Sequence, residues 1–298
     1  MFKEANSCPN QNCTEDDEGE SECCQRCCAS NNRASSPKPA TASANVRLLA
    51  PFKMTGLNRP RQVRLYLPPD YHLSHQRYPV LYLHDGQNVF DEATAYAGEW
   101  GVDETLNQLA AQGWLKLIVV AVDNGGEHRM QEYSGWDNPR FGKAEGEAYI
   151  NFIRNELKPY VDRHFRTLPE AADTGIMGSS MGGLISHYAV FKQPDTFTKA
   201  GIFSPSYWYN RAVYKQTDIR VLPANSRISL LVGEKEGPEM VSNMLKMADL
   251  LRAHGFSTAQ LSVKVVAKAE HNEAFWRSEF ADAVLYLFNP AAYYLRAR

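Results

Sequence analysis

The run Gly178-Ser-Ser-Met-Gly-Gly183 admits few folds. It stands between the strand-like Asp173-Thr-Gly-Ile-Met177 and the helix-like stretch from Leu184 to Phe191, so the chain must pass from strand to helix in a single turn. Such a turn needs dihedrals that a β-carbon makes costly, and Gly178 and Gly182 fit positions where a side chain would collide with backbone. Ser180 then stands at the tip with its hydroxyl in the open, as in the GxSxG elbow. The following helix turns its unpaired N–H groups toward that hydroxyl, which stabilises negative charge formed there.

A serine hydroxyl is a weak nucleophile at neutral pH, so it needs a base within hydrogen-bond reach and a carboxylate to orient the base. After this elbow the partners come in the order Ser, acid, His. The chain supplies that order. Arg227-Ile-Ser-Leu-Leu-Val-Gly233 reads as a buried strand and leads into Glu234-Lys-Glu236. Leu261-Ser-Val-Lys-Val-Val266 alternates like a strand and leads to His271, which falls in the loop after the last strand, where a catalytic imidazole belongs. An oxyanion hole needs two backbone N–H groups aimed at one point. Met181, next to the serine, provides one, and Gln87, in the loop after Tyr78-Pro-Val-Leu-Tyr-Leu-His84-Asp-Gly86, is the candidate for the other.

From about Val46 to the C-terminus the chain resembles the “Putative esterase” family of the α/β-hydrolase superfamily, which includes siderophore, feruloyl and acetylxylan esterases, S-formylglutathione hydrolase and mycolyltransferases. The likeness rests on Tyr78 to Asp91, Ala121-Val-Asp-Asn124, Met177 to Gly183, Phe203-Ser-Pro-Ser-Tyr-Trp208 and Glu270-His-Asn-Glu273. It implies Ser180 as nucleophile, His271 as base, and an acid three residues after the glycine ending the penultimate strand, which is Glu236. The family more often carries Asp there, and Glu234, two residues earlier, is the alternative. His84 and Asp85 read as groups that order the oxyanion loop.

The chain has 298 residues, 44% of them hydrophobic, which is enough for a large core in one main domain. A net charge of -2 argues against a nucleic-acid partner, and no apolar run approaches the eighteen or so residues that span a bilayer. Residues 1–45 are acidic, polar and nearly free of large apolar residues, so they are expected to be a disordered tail preceding a catalytic domain at 46–298. All six cysteines, Cys8, Cys13, Cys23, Cys24, Cys27 and Cys28, fall in that tail; their spacing matches no common zinc finger. Met1-Phe-Lys-Glu lacks a basic segment followed by an apolar run, so a cytoplasmic location is expected.

Strand-like and helix-like runs alternate along residues 46–298, the pattern of a mostly parallel sheet with helices on both faces. The expectation is the eight-stranded α/β-hydrolase sheet, with Val46 to Leu49 and Gln62 to Leu67 as antiparallel opening strands and one long helix over residues 146–165. Ligands of such sheets bind beyond the carboxyl ends of the strands. The loop after Val122 carries Asn124 and Arg129, and the loop after Phe203 carries Tyr207 and Trp208; these four are the candidate substrate contacts, with Tyr207 and Trp208 as wall-packing residues that fix the loop the alternative. Rings mixed with arginines favour flat, phenolic or anionic acyl groups.

The resulting expectation is a serine carboxylic ester hydrolase acting on a small-molecule ester, with siderophore-type or phenolic esters as candidates and no metal or other cofactor. An acyltransferase using the same residues and a noncatalytic binding module are the alternatives.

Overall fold

The structure, a computed structural model, describes residues 38–218 and 221–296. The expectations for residues 1–37, the cysteines among them, lie outside that range. Six strands run parallel: β5 (Val80–His84), β6 (Ile118–Val122), β7 (Thr174–Ser179), β8 (Lys199–Phe203), β9 (Arg227–Gly233) and β10 (Leu261–Val266). β1 (Val46–Leu48) and β4 (Val63–Tyr66) complete the sheet as antiparallel strands at one edge, in the order β1-β4-β6-β5-β7-β8-β9-β10.

Continuous apolar runs make the central strands because both of their faces are covered. In β5, Val80 and Tyr82 enter one core while Leu81 and Leu83 enter the other; in β6, Val120 and Val122 oppose Val119 and Ala121 in the same way. Helices α1 (Val102–Ala111) and α8 (Glu273–Phe288) cover one face through Leu106, Leu109, Phe280 and Val284. Helices α5 (Met181–Lys192) and α7 (Pro238–Ala253) cover the other through Leu184, Ile185, Met244, Met247 and Leu251. Parallel register then aligns the strand ends. Ser179 pairs with Phe203, so Ser180 and Ser204 leave neighbouring strands side by side.

Three local features depart from the sequence expectation. The helix expected over residues 146–165 is Gly146–Phe152 and Lys158–His164 joined by a π turn at Ile153–Leu157. Pro159 lacks the N–H that would continue the regular ladder, which accounts for the change of register. A small hairpin, β2 (Phe52–Met54) with β3 (Arg59–Arg61), and the short helices Ala212–Asp218 and Pro290–Arg296 were not expected.

The third departure corrects the tail boundary, because residues 41–45 are held against the domain by polar contacts. Thr41 donates its N–H to Asp91 (3.0 Å) and its hydroxyl to Glu99 (2.8 Å), and accepts the Glu92 N–H (2.8 Å). The Ser43 N–H reaches Asp103 (2.7 Å), and Asn45 donates to the Leu67 carbonyl (2.6 Å). Composition had placed this segment in the tail because it lacks apolar residues. Hydrogen bonds to buried carboxylates order it instead.

Asp103, bound by the strap, is followed by an acidic residue whose charge is awkward to hold. Burial, with the neighbouring Asp103 charge adding to it, pushes the Glu104 carboxyl up from 4.5 to about 7. A raised carboxyl keeps its proton in the folded chain where the unfolded chain releases it, so its stabilising contribution is complete below pH 4.5 and is lost as pH rises through about 7. Thermal unfolding at about pH 5 and about pH 8 should therefore show Glu104→Gln gaining stability relative to the parent at the higher pH. An equal difference at both values would exclude this titration.

Candidate active site

The elbow has the strained geometry that its sequence predicts. Ser180 sits at φ 59°, ψ -120° between β7 and α5, its N–H held by the Phe203 carbonyl (2.9 Å). A β-carbon at Gly178 would meet the backbone of Gly182 at 2.9 Å, and one at Gly183 would meet the Phe203 carbonyl oxygen at 2.8 Å. Gly182 is less crowded than expected, with its nearest neighbour, an Asp85 oxygen, at 3.3 Å. The close approaches are thus at Gly178 and Gly183.

Glu236 and His271 meet on the same side. His271 Nδ1 lies 2.7 Å from Glu236 Oε2, and the Glu236 side chain is fully buried. Its other oxygen accepts the Gly233 N–H (2.7 Å) and the Ser204 hydroxyl (2.6 Å). Ser204 in turn accepts the indole N–H of Trp276 (2.8 Å), and the Trp276 ring stands nearly perpendicular to the His271 ring, centroids 5.0 Å apart. Glu234 is turned elsewhere: it is exposed and accepts the Lys268 N–H (3.0 Å). Ser180 and His271 line one cavity of about 470 Å³ without a direct hydrogen bond; the Ser180 hydroxyl meets that of Ser206 (3.3 Å).

Gln87 sits in a 3-10 turn, Gly86–Asn88, with its side-chain oxygen accepting the Asn124 N–H (3.1 Å). Met181 opens α5, where no preceding helical turn supplies a carbonyl to its N–H. Gly86 lets this loop approach β6, since a β-carbon there would lie 2.8 Å from the Asp123 nitrogen. Asp85, at φ 56°, carries its N–H to the Tyr133 hydroxyl (3.0 Å), and His84 Nδ1 meets the Tyr149 hydroxyl (2.9 Å). Burial lowers His84 to about 3, so the ring is neutral at physiological pH.

Two of the four expected substrate contacts line the cavity and two do not. Asn124 and Arg129 are on its wall. Arg129, however, is bound twice by Asp85 (2.7 and 2.9 Å) and lies over the Tyr133 ring. Burial of Asp85 opposes its charge, but Arg129 and Asn124 outweigh that and hold the carboxyl below its ordinary value. The Arg129 charge is therefore already matched, which removes the basis for expecting it to grip an anion.

Tyr207 is a correction: it is 1% exposed and its hydroxyl meets His187 Nδ1 (2.9 Å), while His187 Nε2 meets Thr217 (2.7 Å). The Ser206 N–H donates to the Ser180 carbonyl (3.1 Å), folding this loop back over α5 and carrying Tyr207 into the core. Trp208 is half-exposed against Phe141 and Tyr209, away from the cavity wall.

The aromatic wall comes from elsewhere. Trp100 stacks on Phe203 (5.4 Å, 13°) and packs against Trp276 (5.8 Å), and Tyr96 stands exposed at the rim. Trp100 lies past the end of the Tyr78 to Asp91 stretch and Trp276 within an apolar helix just after Glu270-His-Asn-Glu273, so neither stands in a motif that would mark it. Among the described residues no cluster of His, Cys, Asp and Glu could hold a metal ion.

Replacing Ser204 by Ala should leave the buried Glu236 oxygen and the Trp276 N–H each short of a partner. At about 1.5–3 kcal/mol for a hydrogen bond to a charged group, ester hydrolysis should fall in kcat/KM by about tenfold to a hundredfold. Unchanged kcat/KM would show that Ser204 does not order the His271–Glu236 pair.

Residues 55–287 match the family described as “Putative esterase”. Over 242 residues the chain is 29% identical to the uncharacterised protein YbbA of Bacillus subtilis (strain 168), covering 76% of this chain and 92% of that one. It is 27% identical over 217 residues to the endo-1,4-beta-xylanase/feruloyl esterase of Xylanibacter ruminicola, covering 72% of this chain and 27% of that longer protein. The crystal structure of BES protein from Bacillus cereus superposes with a TM-score of 0.66 at 19% identity, over 84% of this chain and 97% of that one, a likeness that carries the fold alone. The chain belongs to the “Putative esterase” family of the α/β-hydrolase superfamily and is a carboxylic ester hydrolase.

Proposed function

We propose that hydrolysis proceeds through an acyl enzyme on Ser180. The observation that carries this reading is the 2.7 Å contact of His271 Nδ1 with a fully buried Glu236, on the cavity that also holds the elbow serine. With Nδ1 engaged, Nε2 is the nitrogen free to act as base. In the proposed cycle the Ser180 oxygen attacks the ester carbonyl as its proton passes to His271. The carbonyl oxygen gains the charge and is met by the N–H groups of Met181 and Gln87. His271 then protonates the departing alcohol, and a water molecule repeats the sequence to release the acid.

For substrate we propose a phenolic or siderophore-type ester. Trp100 and Trp276, largely buried, edge the cavity beside Ser180, and the exposed Tyr96 at its rim offers a ring suited to stacking a flat acyl group. The names of a Xylanibacter ruminicola feruloyl esterase and of an Aspergillus fumigatus siderophore triacetylfusarinine C esterase, 32% identical over 69 residues, agree with such substrates. Feruloyl, catechol-lactone and short aliphatic esters, assayed side by side, test this; a preference for the aliphatic ester would overturn the aromatic assignment.

Ser180→Ala should lower kcat by roughly 10⁴- to 10⁶-fold with the fold intact, and abolish labelling by a fluorophosphonate. Glu236→Ala should cost several orders of magnitude where Glu234→Ala costs little. The reverse ranking would transfer the acid role to Glu234. Product analysis with an added alcohol separates hydrolysis from acyl transfer by the same serine.

A further inference from the structure

We propose that Glu273 sets the charge preference of the cavity, so that the favoured ester presents a neutral or cationic group to it and an ester ending in a carboxylate is disfavoured. This rests on the Ser180 ester-hydrolase reading and deepens it by naming a substrate class.

The argument is a charge count over one wall. Five acidic or basic side chains line the cavity: His84, Asp85, Arg129, His271 and Glu273. His84 is buried against Tyr149 and neutral. Asp85 and Arg129 cancel each other through a two-point ion pair, with Asn124 holding the same carboxylate. His271 is committed to Glu236, which compensates it when it takes a proton. Glu273 is what remains.

Among the described residues no Lys, Arg or His forms an ion pair with Glu273. It is the first residue of α8, where the helix terminus favours a negative charge, while partial burial opposes that charge and raises the carboxyl above its ordinary value. Asp85 repels it, and His271 and Arg129 attract it from a distance. A substrate cation would relieve this imbalance, whereas a substrate carboxylate would add a second negative charge to a partly desolvated wall. The arginine in the cavity does not reverse that preference, because its fork is filled by Asp85.

The test uses three 4-nitrophenyl esters of equal acyl length ending in trimethylammonium, tert-butyl and carboxylate, each rate divided by its uncatalysed rate. For the unaltered protein at low salt, kcat/KM for the ammonium ester should exceed that for the carboxylate ester by about tenfold or more. The ratio should shrink at high salt. In Glu273→Gln it should move toward one, which a purely structural role at the helix start would not produce. A ratio near one in the unaltered protein, or one that Glu273→Gln leaves unchanged, overturns the assignment. Should that variant not fold, the salt dependence in the unaltered protein decides the matter. Cleavage of the tert-butyl ester with a ratio of one overturns the charge assignment alone, whereas no cleavage of any ester and no fluorophosphonate labelling of Ser180 overturns the ester-hydrolase reading and this proposal with it.

Discussion

A parallel sheet buried on both faces exposes its strands only at their ends, and this constraint organises the whole molecule. Side chains along β5, β7 and β8 are committed to packing, so chemistry is confined to the residues where each strand turns away. The turns are correspondingly sharp. Asp85, Ser180 and Ser204 leave β5, β7 and β8 with positive φ, and Lys268 does the same in the loop before His271. Such conformations cost about 1–3 kcal/mol each and persist only where the surroundings over-determine them. Here the surroundings are the paired strands, which fix where each turn begins.

Around those turns, charges are compensated in layers. Arg61, the half-buried Arg59 and Glu132 form a network beneath the loop after β6; Glu132 is wholly buried and accepts two bonds from Arg61 (2.7 and 2.8 Å). A β-carbon at Gly125 would lie 2.6 Å from a Glu132 oxygen, so that glycine lets the loop settle onto the carboxylate. The Asp85–Arg129 pair stands above it on the cavity wall. On the opposite side Glu236 receives the Gly233 N–H, the Ser204 hydroxyl and His271. Removing one member of a buried pair leaves the other charge uncompensated, which gives these residues a structural role in addition to any role at the cavity.

Much of this was legible in the chain. The elbow motif, the order Ser, acid, His, and the alternation of strand and helix pointed to Ser180 and His271 as candidates and to the eight-stranded sheet, because these are local patterns with local physical causes. The reading of His84 and Asp85 as loop-ordering groups agrees with their contacts to Tyr149 and Arg129. The strap at residues 41–45 was misread because composition registers missing apolar residues but not carboxylates waiting on another segment. Tyr207 and Trp208, which lie off the cavity wall, were placed at it for a related reason. A loop sequence states which side chains it carries, not which way each one faces.

The sequence by itself determined the strands of the main sheet and most of the helices that cover it, the fold class and the candidate nucleophile and base, since periodicity, glycine spacing and strand-end position are written in the chain order. Tertiary structure alone decided that Glu236 and not Glu234 meets His271, that Ser204 and Trp276 hold that carboxylate, that Arg129 is neutralised by Asp85, and that Glu273 stands on the cavity wall with no ion pair among the described residues. Each of these is a contact between residues brought together by the pairing of distant strands. Their direction and distance depend on the register of the sheet, which no single segment specifies.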